Sequence, residues 1–588
     1  MGRRIAIAAA IAALSGWCLP LSGGDQLFPR PGWQEQPDVA AAPRLAMAGG
    51  VFREAVGPSP KSLNYYLDNN VMSARVFGLL YETLLSRDSD TLEESPALAS
   101  RWSISEDKRT FTFWIDPNAR WSDGKPVTAE DVLWTWQAIM KPENLTGPFK
   151  LGLERFDPPQ LLPDGGIRFH AKSTHWQNLN TIGGMTVLPR HAFASRDFNL
   201  INFEFPVVSG PYEIKEFREG QRLVLQKRHD WWRRDYPASR GTYNFEQLQL
   251  RFFEDQQNAY DAFMKGELDQ FVVYSAAQWN QVAESRAVRN NWILRTAVYN
   301  RQPIGMQGFA INMRRPLFQD VRVRKALAHL LDRKLMNHTM MHDQYFLHRS
   351  YWEDLYDKAH PNPNPEYEYN PAKARQLLAE AGWRVNPDDG VLTRDGRRFE
   401  FAFLNRGGNE KFIAVFNESL KAVGIRMTIV NKDWSAWAKD MDEFNYDMTW
   451  AAWSMGIFKD PEGAWSSREA GRNGSVNITG FRNDRVDALI EEQKTRFDLA
   501  GRNAILRQID AILCEEVPYV LLWNIGYTRL LRWNRFGTPP GIFGKYGGDS
   551  GIYLWWDDPD LADELRDAQD NNTPLPPEPA VNDHFQNP

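Results

Sequence analysis

Residues 111–132, FTFWIDPNARWSDGKPVTAEDV, change from a strand pattern to a helix pattern, and this change decides the predicted fold class. Apolar and polar side chains alternate from Phe111 to Ile115, which predicts a half-buried β-strand. Thr128 then precedes Glu130 and Asp131, the arrangement of a helix N-cap with acidic residues in the first turn. The apolar residues that follow recur at helical spacing. A strand that leads into an amphipathic helix predicts a mixed α/β fold.

Two later segments also carry clear helix boundaries. Asp320 has the position of an N-cap before an amphipathic stretch. Asn370 and Pro371 open a further helix that ends at Gly382, with proline at the first helical position and glycine just past the end. The chain has 588 residues, whereas a single core stops growing at about 250–300 residues. We therefore expect at least two lobes.

Composition narrows the classes of partner. The chain is 43% hydrophobic and 24% charged with a net charge of -6, so it lacks the basic surface that nucleic acid requires. It contains 23 Trp, 19 Tyr and 33 Phe. Aromatic side chains fill large cores and also line clefts that bind apolar or planar groups. Most of them are expected in the core, and a minority at a ligand surface.

The N-terminus predicts export. Arg3 and Arg4 precede an apolar run over residues 5–14, the layout of a secretory signal peptide. A membrane anchor needs about 20 apolar residues, and this run is interrupted too early. Cys18 lies where a lipidated cysteine could stand, but Trp17 disfavours that processing. We expect a signal peptide over 1–24, a linker over 25–50 and a periplasmic location. With Cys514 the only other cysteine, no disulfide is expected after cleavage.

Motifs for catalysis and metal binding are weak. The phosphate-binding loop, the dinucleotide fingerprint and the zinc helix motif are absent. The segment 548–551, GDSG, is similar to the nucleophile segment of trypsin-like proteases. A mixed α/β chain with this segment close to its end does not suit a double β-barrel protease, so a glycine-rich turn before Tyr553 is the expected interpretation. His338, His342 and His348 cluster in sequence without a carboxylate or cysteine at ligand spacing. We expect no metal, no cofactor and no enzyme activity, with a carbohydrate-active enzyme as the catalytic alternative.

Several segments together resemble a known family. They are residues 96–99 (PALA), 120–132 (RWSDGKPVTAEDV), 209–212 (SGPY), 320–327 (DVRVRKAL) and 369–383 (YNPAKARQLLAEAGW). In this order they resemble the family 5 extracellular solute-binding proteins, the peptide receptors of ABC importers. Residues 305–320 (GMQGFAINMRRPLFQD) and 349–352 (RSYW) look most like the Yej-type branch, which is associated with microcin C and oligopeptide uptake.

The resemblance implies a fold and a domain order. The fold is the two-lobed periplasmic-binding-protein fold (type II, cluster C), α/β, with an extra subdomain inserted in lobe I. The implied order is lobe I over 51–305 with the insert at about 75–195, lobe II over 306–522, and a return to lobe I over 523–565. Residues 566–588 are proline-rich and are expected to be disordered. Lobe closure about a hinge would hold the ligand.

The resemblance also places one set of ligand-binding residues on backbone segments. Asn69 and Val71 lie in a stretch where relatives contact the ligand backbone. Val272, Val273 and Tyr274 follow the segment 266–269, GELD, and an extended edge there could pair with a peptide strand by β-augmentation.

A second set is aromatic and polar. Trp434 and Trp453 match two cleft tryptophans of the oligopeptide receptors, with core packing as the alternative for each. Gly456 stands where relatives carry an aspartate, which Asp460 could replace, and Trp450 stands where they carry an arginine. Loss of both counter-charges disfavours short zwitterionic peptides.

These residues leave more than one ligand class open. An oligopeptide or peptide-like ligand leads, and an oligosaccharide is the alternative because tryptophan faces also suit sugar rings. The implied partners are an ABC permease and ATPase in the inner membrane. The protein is expected to act as a monomer.

Overall fold

The computed structural model describes residues 24–37, 48–60, 62–67, 71–200, 204, 207–548 and 550–586. The strands in these ranges are β1 Gln26–Phe28, β2 Val51–Val56, β3 Leu85–Arg87, β4 Glu94–Pro96, β5 Ala99–Ile104, β6 Thr110–Ile115, β7 Gln160–Leu161, β8 Ile167–His170, β9 Tyr212–Arg218, β10 Arg222–Lys227, β11 Gln247–Phe252, β12 Gln270–Val272, β13 Ile293–Val298, β14 Met306–Ile311, β15 Phe346–Leu347, β16 Arg384–Val385, β17 Leu392–Arg394, β18 Arg397–Arg398, β19 Glu400–Asn405, β20 Arg426–Asn431, β21 Met448–Trp453, β22 Tyr519–Leu521, β23 Trp523–Asn524, β24 Thr528–Trp533, β25 Phe536–Gly537, β26 Trp556–Asp557 and β27 Val581–Asn582.

The α-helices are α1 Val71–Leu80, α2 Ala129–Met140, α3 Gly147–Leu153, α4 Asn178–Gly183, α5 Arg190–Phe193, α6 Gln256–Met264, α7 Ala276–Val282, α8 Arg286–Arg289, α9 Val321–His329, α10 Arg333–Met341, α11 Pro371–Glu380, α12 Glu410–Lys421, α13 Trp434–Asp442, α14 Glu462–Trp465, α15 Asp484–Lys494, α16 Leu499–Glu516 and α17 Pro559–Asp570. Short 3-10 helices occur at Tyr65–Leu67, Pro237–Ser239, Pro316–Phe318, Glu353–Leu355 and Glu469–Gly471.

The chain divides into two compact units. The first is formed within Met1–Gln34, Lys61–Arg87 and Glu93–Gly210, and the second within Glu35–Pro60, Asp88–Leu92 and Pro211–Pro588. Both contain strands and helices, so the predicted α/β class is confirmed.

The first unit is built on a five-stranded antiparallel sheet with the order β1-β5-β6-β8-β7. The predicted strand is β6, whose Phe111 and Phe113 are buried against Phe156 and Phe169. The predicted helix is α2, and the Asp131 carboxylate accepts a hydrogen bond from the Thr128 backbone N–H at 2.9 Å. The alternating strand and the capped helix of the sequence are therefore both present.

The second unit contains three larger sheets. Two are four-stranded, with the orders β2-β11-β10-β9 and β12-β24-β13-β27, and one is five-stranded, with the order β20-β19-β21-β14-β22. Strand β14 is apolar on both faces: Phe309 and Ile311 join one core cluster, while Met306 and Ala310 join the other. A sheet covered on both faces requires such near-continuous apolar strands.

Two segments near the chain ends differ from the sequence expectation. The predicted linker over 25–50 contains β1, which pairs with β5. The predicted disordered tail over 566–588 contains the end of α17 and strand β27, which pairs in parallel with β13. The Leu575 N–H also donates to the Asn290 carbonyl at 2.9 Å. Proline-rich composition does not prevent order here because the tail adds its backbone hydrogen bonds to an existing sheet.

Candidate ligand-binding site

Two chain crossings connect sheets of the second unit. Residues 299–305 lead from β13 to β14, and residues 525–527 lead from β23 back to β24. The Asn524 side-chain amide donates to the Gly305 carbonyl at 2.7 Å, which ties one crossing to the other. A side chain at Gly305 would lie 2.6 Å from the Trp453 carbonyl oxygen, so glycine is required for this close approach.

A cavity of about 280 Å³ lies beside these crossings. We call it the crossover cavity. It combines the end of β12 with residues of both crossings. Its lining residues are Val272, Val273, Tyr274, Asn300, Gln302, Pro303, Ile304, Gly305, Asn524, Ile525, Gly526, Tyr527, Thr528 and Arg529. The structure thus brings three of the predicted binding residues to one cavity.

Strand β12 lies at the edge of its sheet. Just before it, the Asp269 N–H donates to the Arg53 carbonyl of β2 at 2.8 Å, so the part of this edge that faces the cavity is at Val272. It pairs antiparallel with β24, with Val272 opposite Leu530. The Val273 N–H donates to the Arg529 carbonyl at 2.8 Å. Hydrogen-bonded and non-hydrogen-bonded positions alternate in an antiparallel pair. The N–H and C=O of Val272 therefore point away from β24, toward the open edge.

The open edge ends at Tyr274. Its carbonyl oxygen accepts hydrogen bonds from the Tyr345 hydroxyl at 3.0 Å and from Arg529 Nη1 at 3.2 Å. The Tyr274 side chain itself is 67% exposed. A strand added to β12 can therefore use Val272 but meets protein side chains at the Tyr274 carbonyl.

Two tryptophans of the predicted site, Trp450 and Trp453, lie in β21 and form hydrogen bonds within the protein. Trp450 is half-buried, and its indole N–H donates to Gln307 Oε1 at 3.2 Å. Trp453 donates to the Tyr519 hydroxyl at 3.2 Å. Positions 450 and 453 differ by three, so the two side chains leave opposite faces of the strand. The structure does not bring these two indoles together.

The loop after β21 carries the two predicted polar positions. Gly456 is exposed, and its carbonyl oxygen lies 3.5 Å from the ammonium of Lys459. Lys459 is buried and forms an ion pair with Asp354 at 2.7 Å. Asp460 is half-buried and accepts a hydrogen bond from the Glu462 N–H at 3.0 Å. The ammonium next to Gly456 is therefore already paired with a carboxylate.

Trp434 belongs to an exposed aromatic stack that we call the tryptophan stack: Trp434, Trp437 and Arg406. The two rings are 5.2 Å apart and 24° from parallel. The Arg406 guanidinium lies 5.4 Å from one ring centre and 5.7 Å from the other. Trp434 is 60% exposed. Sequence reasoning found Trp434 but missed its two partners, although the i, i+3 spacing of the tryptophans within one helix was a usable signal.

The first predicted segment is only partly described. Asn69 lies outside the described residues. Val71 is the first residue of α1, and its side chain is also outside the description.

Arg529 is a cavity residue that sequence reasoning missed. It is fully buried in β24, and its Nη2 donates to Gln344 Oε1 at 2.8 Å. Its Nη1 donates to the Tyr345 hydroxyl at 3.0 Å. The available signal was a charged residue inside the apolar strand Thr528–Trp533, because charged side chains are almost never fully buried without a specific reason.

The segment Arg349 to Trp352 has a structural role. The buried Asp510 carboxylate accepts hydrogen bonds from Ser350 Oγ, the Tyr351 N–H, the Tyr356 hydroxyl and the Asn364 amide, at 2.7, 2.8, 2.8 and 2.6 Å. Burial raises the pKa of Asp510, and these four donors oppose the rise. This cluster anchors the segment to α16.

The weak catalytic and metal motifs are separated in the structure. Ser550 Oγ donates to the buried Glu54 carboxylate at 2.9 Å, and Asp549 lies outside the described residues. His338 contacts Asp343 at 2.8 Å, whereas His348 contacts Glu353 at 3.3 Å. Each of these groups therefore has its own local partner.

In the second unit, two adjacent crossings connect the sheet β12-β24-β13-β27 with the sheet β20-β19-β21-β14-β22. The description "Bacterial extracellular solute-binding proteins, family 5 Middle" matches residues 93–475. The chain belongs to this family of solute-binding receptors. None of the described helices has the length and apolar character needed to cross a bilayer.

Relatives named YejA support the Yej-type branch, and the solved structures show the fold. "Probable peptide-binding protein YejA" of Agrobacterium fabrum is 26% identical over 84% of this chain and 88% of its own. "Peptidoglycan-binding protein YepA" of the same organism is 27% identical over 82% and 84%. The solved oligopeptide-binding protein AppA of Bacillus subtilis, in complex with a nonapeptide, superimposes with a TM-score of 0.71 at 22% identity, covering 87% of this chain and 100% of its own. The predicted family, branch and periplasmic-binding-protein fold are confirmed.

Proposed function

We propose that this protein is the extracytoplasmic receptor of an ABC importer and that it captures oligopeptide or peptide-like ligands at the crossover cavity. The observation that carries the proposal is the open edge of β12, where the N–H and C=O of Val272 face away from β24. An extended peptide can add to such an edge by main-chain hydrogen bonds, which do not depend on the peptide's sequence. A receptor that takes many peptides needs this kind of recognition.

The relatives support the peptide class. The Agrobacterium YejA relative is named as peptide-binding, and AppA was solved with a nonapeptide. The binding residues proposed for this chain are Val272, Val273 and Tyr274 at the cavity, with Asn69 and Val71 on the preceding segment. Trp434, Trp450, Trp453, Gly456 and Asp460 form the proposed second set.

The crossings over 299–305 and 525–527 are the proposed hinge. Two short adjacent connections between packed sheets absorb a rotation with few dihedral changes. Closure would cover the ligand, and the closed form would be recognised by the permease and its ATPase. No bond-making step is part of this role. The proposed lobes are 51–305, 306–522 and 523–565, with the inserted subdomain at about 75–195.

The remaining features complete the proposal. Residues 1–24 act as a cleaved signal peptide that delivers the protein to the periplasm, Cys18 is not lipidated, and the mature protein acts as a monomer. Residues 1–23 lie outside the described part of the chain, so this element of the proposal rests on their sequence alone.

A peptidoglycan fragment is the second candidate ligand. The tryptophan stack favours it, because exposed indole faces pack against sugar rings, and one relative is named as peptidoglycan-binding. A muropeptide carries both a sugar and a peptide. It could therefore use the stack and the β12 edge together.

The experiment is a thermal-shift screen of the purified chain against pools of peptides of increasing length, oligosaccharides and muropeptides. A ligand at 100 times its Kd adds about 2.7 kcal/mol to stability. Titration calorimetry then gives Kd for the hits. Stabilisation by peptides supports the proposal. Stabilisation by oligosaccharides alone, with every peptide pool silent, overturns it.

A further inference from the structure

The first unit has a cavity of its own, with a volume of about 720 Å³, on one face of the sheet β1-β5-β6-β8-β7. Its lining residues all belong to this unit. They extend from Asp25, beside β1 at one edge of the sheet, to Gln160 of β7 at the other edge. Four interstrand spacings amount to about 19 Å. We call this cavity the sheet groove. Its volume is typical of a ligand site, and its length suits an elongated ligand.

The two faces of this sheet have opposite character. Trp102, Phe113 and Ile167 lie side by side on β5, β6 and β8, and all three are buried. Neighbouring positions along a strand point to opposite faces of the sheet. The next row of paired residues therefore lies on the face of the groove. This row consists of Ser103, Thr112, Arg168 and Gln160, and all four residues line the sheet groove.

This polar row is unpaired within the protein. None of its four side chains forms a hydrogen bond or an ion pair with another described residue. The groove residues on either side of the row are paired. Thr110 Oγ1 lies 3.0 Å from His170 Nδ1, and the Trp114 indole N–H donates to Asp164 Oδ2 at 3.1 Å. Hydrogen-bonding capacity is therefore left for a ligand along one strip that crosses four strands.

The strip combines a recessed part with an accessible part. Ser103 and Thr112 are only 3% and 4% exposed and form the floor of the groove, whereas Arg168 and Gln160 are exposed. Hydroxyl and amide groups both donate and accept hydrogen bonds, and a guanidinium only donates. A ligand on this strip must therefore present donors and acceptors together over its length.

The charges of the groove disfavour a charged ligand. The carboxylates of Asp25, Asp157 and Asp164 line it together with the Arg168 guanidinium, so an anion meets three like charges and a cation meets one. Trp114 is buried, with the Arg101 guanidinium 4.6 Å from its ring centre. Hydrogen bonding rather than aromatic stacking must then hold the ligand. A neutral chain of sugar rings has these properties, and sheet faces bind oligosaccharides in other folds.

We infer that the sheet groove binds a neutral oligosaccharide, whose hydroxyl groups pair with the polar row across β5, β6, β8 and β7. This site goes beyond the proposed peptide-binding function. The sheet groove and the crossover cavity share no lining residue. Each proposal can therefore fail while the other stands.

The test measures the binding of three neutral hexasaccharides to the full chain by titration calorimetry: cellohexaose, maltohexaose and hexa-N-acetylchitohexaose. At least one of them is expected to bind the wild type. Arg168→Ala should raise its Kd about tenfold, because the variant loses a hydrogen bond from a charged donor. The side chain has no partner among the described residues, so the free energy of unfolding should stay unchanged.

A second variant and a matched control make this test specific. Thr112→Val keeps the shape of the groove floor but removes a hydroxyl, and it should raise the same Kd about three- to tenfold. Arg190→Ala is the control. Arg190 is an exposed arginine of the same unit that does not line the sheet groove, and its replacement should leave the Kd unchanged.

The outcomes separate this site from the others. If none of the three hexasaccharides binds, or if the Kd is the same in Arg168→Ala and Thr112→Val as in the wild type, the inference is wrong. Loss of binding in Trp434→Ala with full binding in Arg168→Ala also overturns it, since the sugar then lies on the tryptophan stack. Peptide binding should be equal in Arg168→Ala and the wild type, so a failure of the proposed function is detected independently.

Discussion

The crossover cavity and the tryptophan-bearing region of β21 and α13 offer a ligand different chemical groups. The cavity presents backbone N–H and C=O groups of an edge strand beside a buried cation. In the second region the indole N–H groups of Trp450 and Trp453 donate hydrogen bonds to Gln307 and Tyr519. Residue type alone therefore does not identify a binding group. A side chain whose hydrogen-bonding groups are already paired within the protein has none left for a ligand.

Among these substitutions, replacement of Trp450 should have the largest effect, which is a loss of stability. Its ring contacts Phe309, Phe412 and Trp523 at centroid distances of 5.4, 5.9 and 5.8 Å. Trp450→Ala should lower the free energy of unfolding by about 3–5 kcal/mol because it leaves a cavity and an unpaired Gln307 oxygen. Denaturant unfolding followed by fluorescence measures this. A loss below about 1 kcal/mol would show that Trp450 is not a core residue and would reopen its role as a ligand contact.

Proline substitutions in β12 distinguish backbone N–H groups that face outward from those that bond to β24. Val272→Pro removes an N–H that points outward and should weaken peptide binding by about tenfold, the value of one hydrogen bond. Val273→Pro removes the N–H that donates to Arg529 and should instead lower stability by about 1–3 kcal/mol. Calorimetry and denaturant unfolding measure the two effects. If Val272→Pro folds and binds peptide as the wild type does, the edge is not the binding surface.

Replacement of Trp434 should have the smallest effect on stability. It is 60% exposed and stacks on Trp437, so Trp434→Ala should change the free energy of unfolding by about 0.5 kcal/mol or less. Its effect should appear with muropeptide or oligosaccharide ligands, whose sugar rings need an indole face. Unchanged Kd for every ligand class would remove the tryptophan stack from the binding surface.

Local boundaries in the fold were predictable from sequence because their causes are local. Asp320 accepts from the Arg322 N–H at 2.9 Å, and Asn370 accepts from the Lys373 N–H at 2.9 Å. Both are N-caps, as their positions before amphipathic stretches indicate. The motifs that revealed the family are similarly short and continuous.

The candidate site was only partly predictable because it depends on contacts that are distant in sequence. Tyr274 and Arg529 are 255 positions apart yet share a hydrogen bond. The outward direction of Val272 depends on its register with β24, which no local pattern specifies. The proline-rich composition of the tail likewise predicted disorder. Composition carries no information about the distant β13 edge with which β27 pairs.

That tail has a consequence for self-association. Strand β27 covers the β13 edge, and the Tyr299 N–H at the start of the first crossing donates to the Asn582 carbonyl at 2.7 Å. An uncovered strand edge is a template for pairing with another chain. By covering this edge, Val581 and Asn582 of β27 protect β13 from pairing with a second chain. Ending the chain before residue 580 should expose the β13 edge and increase self-association through this sheet.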